Sequence, residues 1–261
     1  MLFQPERLAA TALLSLSALC AALPAHAQEG EAEASPLAEK VGAALEAPFR
    51  TDAEKERDEN RLPAETLAFM RLTPDMRVLE LIPGRGWYTK ILSQVLADEG
   101  ELFVAVGTRY VVQNLETEPG FAGVKVVDVT GEFSRDGRRN DVDDLGLDVT
   151  DVDLALTFRN LHNFSEHGRK ELNEATFAAL KPGGYYGVVD HTRRHMQGDN
   201  DENWRRMDPV LMIKEIEAVG FEFVDFTDLH YRADDELRYE VGRKTVTGNT
   251  DRFTLLFRKP E

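Results

Sequence analysis

The chain has 261 residues, with 47 acidic against 31 basic side chains, a formal net charge of −16 and a single cysteine. A surface so acidic repels phosphate backbones and argues against a nucleic-acid partner. Cys20 falls within the first 27 residues, so the remainder has no thiol for a disulfide, a thiolate metal site or a cysteine nucleophile.

Those first 27 residues are laid out as an export signal: Arg7, an apolar and small-residue stretch Leu8–Leu23, then Ala25-His26-Ala27 as a cleavage site. The stretch is short for a bilayer span. Cleavage after Ala27 and release into the periplasm or medium are expected, with no membrane contact afterwards. Residues 28–49 are predicted to be an acidic lead-in, Gln28–Ser35, followed by a helix at Pro36–Ala47, and 50–261 to be one domain. Pro63 is placed to open a second helix.

Beyond it strands and helices alternate. Strands are predicted at Arg77–Ile82, Glu101–Val106, Val124–Val129, Val152–Phe158, Tyr185–Asp190, Glu222–Phe226 and Arg252–Phe257. Helices are predicted at Trp87–Ala97, Tyr110–Leu115, Lys170–Leu180 and Pro209–Val219, the last capped by Asp208. Such alternation gives a parallel sheet covered on both faces, and the missing helix between the last two strands gives an antiparallel edge. Gly131–Asp151 and Thr227–Thr250 are predicted to be long irregular insertions.

The most informative stretch is Val78-Leu79-Glu80-Leu81-Ile82-Pro83-Gly84-Arg85-Gly86-Trp87-Tyr88-Thr89. An apolar strand stops at a glycine turn, and Tyr88, Ile91, Leu92 and Val95 then return at helical spacing. This arrangement sets backbone N–H groups at a helix N-terminus against a ligand. Gly84 and Gly86 let the turn take positive φ and come close to it. Any tight turn wants glycine too, and what favours a ligand is a second signal, Leu180-Lys181-Pro182-Gly183-Gly184, running into an apolar strand. Ile82 is β-branched and precedes proline, so it is expected to stay extended, with the turn starting one residue later.

These two stretches resemble the cofactor loop and the entry to the fifth strand of class I S-adenosylmethionine-dependent methyltransferases. Three more, Arg57-Asp58-Glu59-Asn60-Arg61-Leu62-Pro63, Leu156-Thr157-Phe158-Arg159-Asn160-Leu161-His162-Asn163 and Asp251–Pro260, resemble an exported branch of predicted methyltransferases. The resemblance spans roughly residues 50 to 260. It implies a three-layer α/β, Rossmann-like fold with a seven-stranded, mostly parallel sheet. S-adenosylmethionine is the implied cofactor, and methyl transfer to a small or medium acceptor the implied activity. The alternative is an exported, non-catalytic binding or scaffolding protein that retains the fold.

Within the resemblance, Glu80 meets the amino-acid end of the cofactor beside Pro83, Gly84 and Gly86. Tyr88 is a candidate stacking surface, although aromatics at a helix start more often belong to the core. The second strand ends Val104-Ala105-Val106-Gly107-Thr108, without the acid the family uses for the ribose, which leaves Gly107 and Thr108 as candidates there. His162 and His191 are candidates for proton transfer, because imidazole titrates near working pH. Asn160 and Asn163 are candidates for polar contact with cofactor or substrate. For each histidine the competing reading is a buried, hydrogen-bonded residue at a strand end. Asp190, His191 and His162 have no recognised ligand spacing, and no metal site is expected. Arg57, Asp58 and Arg61 are expected on a solvated helix face rather than as a clasp over the cleft.

Overall fold

The computed structural model describes residues 35–261. The predicted signal peptide, Cys20 and nearly all of the acidic lead-in lie outside the described residues. Ser35 accepts a hydrogen bond from the Ala38 N–H and Pro36 fills the first turn, which starts α1 (Pro36–Leu45). Two single-turn helices follow, α2 (Asp52–Lys55), opened by a Thr51/Glu54 capping box, and α3 (Asp58–Arg61). Then α4 (Pro63–Phe69) begins at its proline.

The alternating part comprises β1 (Arg77–Leu81), α5 (Trp87–Val95), β2 (Glu101–Ala105), α6 (Arg109–Asn114), β3 (Lys125–Val126), β4 (Val129–Asp136) and β5 (Arg139–Leu147). It continues with β6 (Val152–Phe158), α7 (Glu166–Ala179), β7 (Leu180–His191), α8 (Pro209–Val219), β8 (Glu222–Thr227) and β9 (Arg252–Arg258). Seven strands form one sheet in the order β3-β2-β1-β6-β7-β9-β8. All neighbours are parallel except β9, which runs antiparallel to both β7 and β8. This is the seven-stranded, mostly parallel sheet the sequence predicts, with the antiparallel edge in place.

Side-chain alternation along the strands supplies two cores. Val78, Leu154 and Leu156 face α1, α4 and α5 through Val41, Leu67, Met70, Ile91 and Leu92. Leu79, Leu81, Ala155 and Val188 face α7 and α8 through Leu172, Met212 and Ile216.

Two expectations change. The segment expected as an irregular insertion from Gly131 is a hairpin, β4 pairing antiparallel with β5 around Gly137 (φ 58°) and Arg138. It rests on α7, whose Glu171 accepts from the Leu145 N–H and whose N-cap Ser165 donates to Asp141. The same cap starts α7 at Glu166, earlier than the predicted Lys170. The other insertion, between β8 and β9, forms no helix or strand. It is held instead by a wholly buried bidentate pair, Arg206 with Asp235, at 2.8 and 3.0 Å.

Candidate functional site

Parallel strands deliver their carboxyl ends to one edge, and here three adjacent ends share an unusual backbone. Ile82 after β1, Val106 after β2 and Arg159 after β6 all take positive φ, at 56°, 58° and 61°. The extended Ile82 expected from its branching and from Pro83 is therefore corrected. Its N–H donates to the Ala105 carbonyl and its carbonyl accepts from Asn160 Nδ2, both at 2.9 Å. Neighbouring strands thus hold Ile82 from both sides. A left-handed β-branched residue costs about 1–2 kcal/mol, and strain of this kind concentrates where a ligand must be met.

The two glycines of the turn differ. A Cβ on Gly86 (φ 79°) would run into the Phe121 ring at Cε1 and Cζ, whereas one on Gly84 (φ 59°) would meet nothing within 4 Å. Gly86 is thus required by packing, while Gly84 stands open beside a cavity of about 220 Å³ at the ends of β1 and β6.

Glu80, Pro83, Gly84, Tyr88 and Asn160 line that cavity, together with Phe158 and the arginines 57, 61, 85 and 159. Glu80 is buried, and its Oε2 accepts from the Thr89 hydroxyl at 2.6 Å. Burial pushes its carboxyl up to about 7, although Thr89 and the Arg61 charge pull the other way. Tyr88 stacks on Phe158 with ring centroids 3.6 Å apart.

Arg61 is not on a solvated face. It is 5% exposed, and its guanidinium lies over Trp87 at 4.2 Å and near Tyr88 at 5.7 Å. Its carbonyl accepts from Tyr88 and Thr66 hydroxyls and lies 3.0 Å from His230 Nε2. Burial, then Arg159, Arg57 and Arg252, push the Arg61 guanidinium down to about 8. Asp58 instead pairs with Arg50 at 2.6 Å.

His162, Asn163 and His191 lie at the ends of β6 and β7, outside the cavity lining. His162 Nδ1 is 2.6 Å from Asp190 Oδ1, and its N–H donates to Oδ2 at 3.1 Å. The His191 N–H also donates to Asp190, and its ring Nδ1 is 2.8 Å from the Thr250 hydroxyl. The two imidazoles stand 5.6 Å apart. Burial first, then His162 and neighbouring arginines, push His191 well below the usual histidine range, so it is held neutral. Among the described residues nothing hydrogen-bonds His162 Nε2. Gly107 (φ 62°) and Thr108 follow β2 ahead of α6, and neither borders the cavity. Among the described residues no group of three His, Cys, Asp or Glu is placed to hold a metal ion.

Asp190, buried with three donors, and the arginine lining were not picked out as site residues from the sequence. A signal was present: each of the three family-like stretches carries an arginine (57 and 61, 159, 252) in a chain of strong negative charge. Arg252 donates to the Asn60 carbonyl at 2.6 Å and so ties the last stretch to the first.

S-adenosylmethionine, the group this fold implies, can be tested against these residues. A buried carboxylate with one oxygen uncommitted among the described residues suits an ammonium, and the open face at Gly84 admits a ligand against the backbone. The end of β2 offers a sugar only backbone groups and Thr108. The residues fit the amino-acid end of such a cofactor.

No protein-family model and no curated protein sequence matches the chain. Solved structures do. A SAM-dependent methyltransferase from Aquifex aeolicus is 16% identical, with a TM-score of 0.54 over 87% of this chain and 99% of that one. The [4+2]-cyclase SpnF is 17% identical, with a TM-score of 0.53 over 86% and 93%. Human N-acetylserotonin methyltransferase, solved with SAM, is 15% identical, with a TM-score of 0.51 over 85% of this chain and 57% of that one. The fold is the class I methyltransferase fold. At these identities the likeness is one of fold, and the cyclase demonstrates that this fold alone does not fix a reaction.

Proposed function

We propose that the protein is an S-adenosylmethionine-dependent methyltransferase acting on a small or medium acceptor, exported to the periplasm after cleavage behind Ala27. The observation that carries this reading is the buried Glu80 carboxylate facing the same cavity as the open Gly84 turn. When bound, the cofactor supplies an electrophilic methyl group. The chain's part is alignment, which alone is capable of large rate effects. Glu80 neutralises the ammonium, the 82–86 backbone seats the amino-acid end, and the Tyr88–Phe158 stack excludes water from one wall. Thr108 and Gly107 are assigned to the sugar. Where the acceptor is a hydroxyl or amine, His162 takes its proton at Nε2, with the ring held in place by Asp190 at Nδ1.

Titration calorimetry with S-adenosylhomocysteine tests this. Wild type is expected to bind, and Gly84→Val, if folded, is expected not to. A folded Gly84→Val that binds as well as wild type contradicts the placement. A protein that binds but transfers no methyl group to any acceptor is the non-catalytic alternative.

A further inference from the structure

We infer that His162 and His191 are held in opposite tautomers and together receive a hydroxyl group, so that the atom methylated is an oxygen; only the word methylated rests on the function proposed above. Both imidazoles are buried, and each is fixed at Nδ1 by a different kind of partner. Asp190 Oδ1 stands 2.6 Å from His162 Nδ1. A carboxylate only accepts, so that nitrogen carries the hydrogen and Nε2 keeps a bare lone pair. Thr250 Oγ1 stands 2.8 Å from His191 Nδ1. Thr250 is 2% exposed, and among the described residues its hydroxyl has no other acceptor. A buried hydroxyl hydrogen left unbonded is costly. The hydroxyl therefore donates to Nδ1, and the ring hydrogen of His191 sits on Nε2. Burial first, then His162 and neighbouring arginines, keep His191 neutral, so it carries no second ring hydrogen.

One histidine thus offers an acceptor and its neighbour a donor, with ring centroids 5.6 Å apart. Among the described residues neither Nε2 has a hydrogen-bond partner. An oxygen that donates to one nitrogen and accepts from the other joins nitrogens as far as about 5.7 Å apart, a span this pair allows. A hydroxyl meets both demands with one atom. An ether or ketone oxygen has no hydrogen for His162, and an ammonium has no lone pair for His191. A neutral amine has one lone pair and would spend it on His191, whereas a hydroxyl oxygen keeps a second for the methyl carbon. A thiol is weak in both roles. Position agrees with this: Arg159 and Asn160 border the cofactor cavity, and His162 follows Asn160 by two residues. The step balances with a sulfonium methyl donor. The free pair on oxygen forms the bond to the methyl carbon, the carbon–sulfur bond breaks with its pair left on sulfur, and the hydroxyl proton goes to His162 Nε2. The His191 N–H stays on the oxygen and stabilises the negative charge that develops as the proton leaves. Thr250 acts through His191 and is a positioning residue.

The test is long-range proton–nitrogen NMR of the two rings in a protein comprising residues 28–261, alone and with about 5 mM phenol, anisole or aniline. His162 is expected to carry its hydrogen on Nδ1 and His191 on Nε2. Both rings in one tautomer, or His191 protonated at Nδ1, overturns the inference. Thr250→Val keeps the shape of the side chain and removes its donor. It is expected to let His191 populate both tautomers while His162 stays as it was, and an unchanged His191 overturns the part given to Thr250. Phenol is expected to shift both Nε2 signals, anisole, which only accepts, that of His191 alone, and aniline, chiefly a donor, that of His162 alone. Phenol that shifts neither signal, or only one of them, overturns the shared hydroxyl. S-adenosylhomocysteine is titrated in parallel. Its binding without a phenol response removes the hydroxyl and leaves the proposed function standing. A phenol response without its binding keeps the hydroxyl site and removes the proposed function.

Discussion

Asn160 Nδ2 donates to the Ile82 carbonyl at 2.9 Å, joining the end of β6 to the strained residue that opens the glycine turn. Asn160→Ala removes a single neutral hydrogen bond at a half-buried site, a loss of about 1 kcal/mol in urea denaturation. The effect on S-adenosylhomocysteine affinity is expected to be larger, at least tenfold, because the turn loses the contact that fixes its start. An affinity unchanged within twofold would show that the turn needs no such support.

Gly84 and Gly86 are expected to separate in mutagenesis. Gly86→Ala combines a left-handed alanine with a Cβ driven into the Phe121 ring, and is expected to destabilise the protein by about 2–4 kcal/mol. Gly84→Ala meets open space and is expected to cost only about 1–2 kcal/mol, while weakening ligand binding. Denaturant midpoints and calorimetry on the same preparations compare the two. Equal losses of stability would remove the distinction.

Glu80 gives stability a pH dependence of definite sign. Its carboxyl titrates near 7 in the folded protein and near 4.5 ordinarily, so between those values the native state holds a proton that the unfolded chain has lost. Stability from this group is therefore full below about 4.5 and declines as pH rises through 7, by about 3 kcal/mol in all. His230, held down at about 4 by burial, acts in the opposite direction, its stability lost as pH falls from 6.5 through 4, and is common to wild type and variant. Glu80→Gln keeps the size of the side chain and is expected to be more stable than wild type at pH 8, with the gap closing towards pH 4.5. A gap constant across that range would contradict the assignment.

Asp190 accepts from the His162 N–H and the His191 N–H and engages His162 Nδ1 from a fully buried position. Asp190→Asn turns one acceptor oxygen into a donor facing those groups and is expected to cost about 2–4 kcal/mol. His162→Ala is expected to leave S-adenosylhomocysteine affinity within twofold of wild type, since His162 does not border the cavity. A large loss of affinity in His162→Ala would place the imidazole in the cofactor site instead of beside it.

Elements whose apolar period survives in the sequence were read directly: β6 and α8 occupy the predicted Val152–Phe158 and Pro209–Val219, and Asp208 caps α8 by accepting from the Val210 N–H. The β4–β5 hairpin was not, because β4 is mostly exposed, β5 mostly half-buried, and both are largely polar with almost no apolar alternation. Asp136-Gly137 was the local turn signal that announced it. Ile82 was misread because local preference opposes a left-handed residue before proline, and contacts from two neighbouring strands override that preference. Arg61 was misread for a related reason. Its burial comes from Trp87 and Tyr88, some 26 residues away in sequence and invisible to the pattern of its own short helix.

The reading of the strand-end cavity as a cofactor site is tested most directly by thermal unfolding of a protein comprising residues 28–261 with S-adenosylmethionine or S-adenosylhomocysteine. At about a hundred times the dissociation constant, linkage adds roughly 2.7 kcal/mol, which for a domain of this size raises the midpoint on the order of 5–10 °C. Millimolar ligand is expected to be needed, since no carboxylate at the end of β2 holds the ribose, and the shift is expected to vanish in Gly84→Val. A folded wild-type protein whose midpoint does not move at millimolar concentrations of either ligand would contradict the assignment.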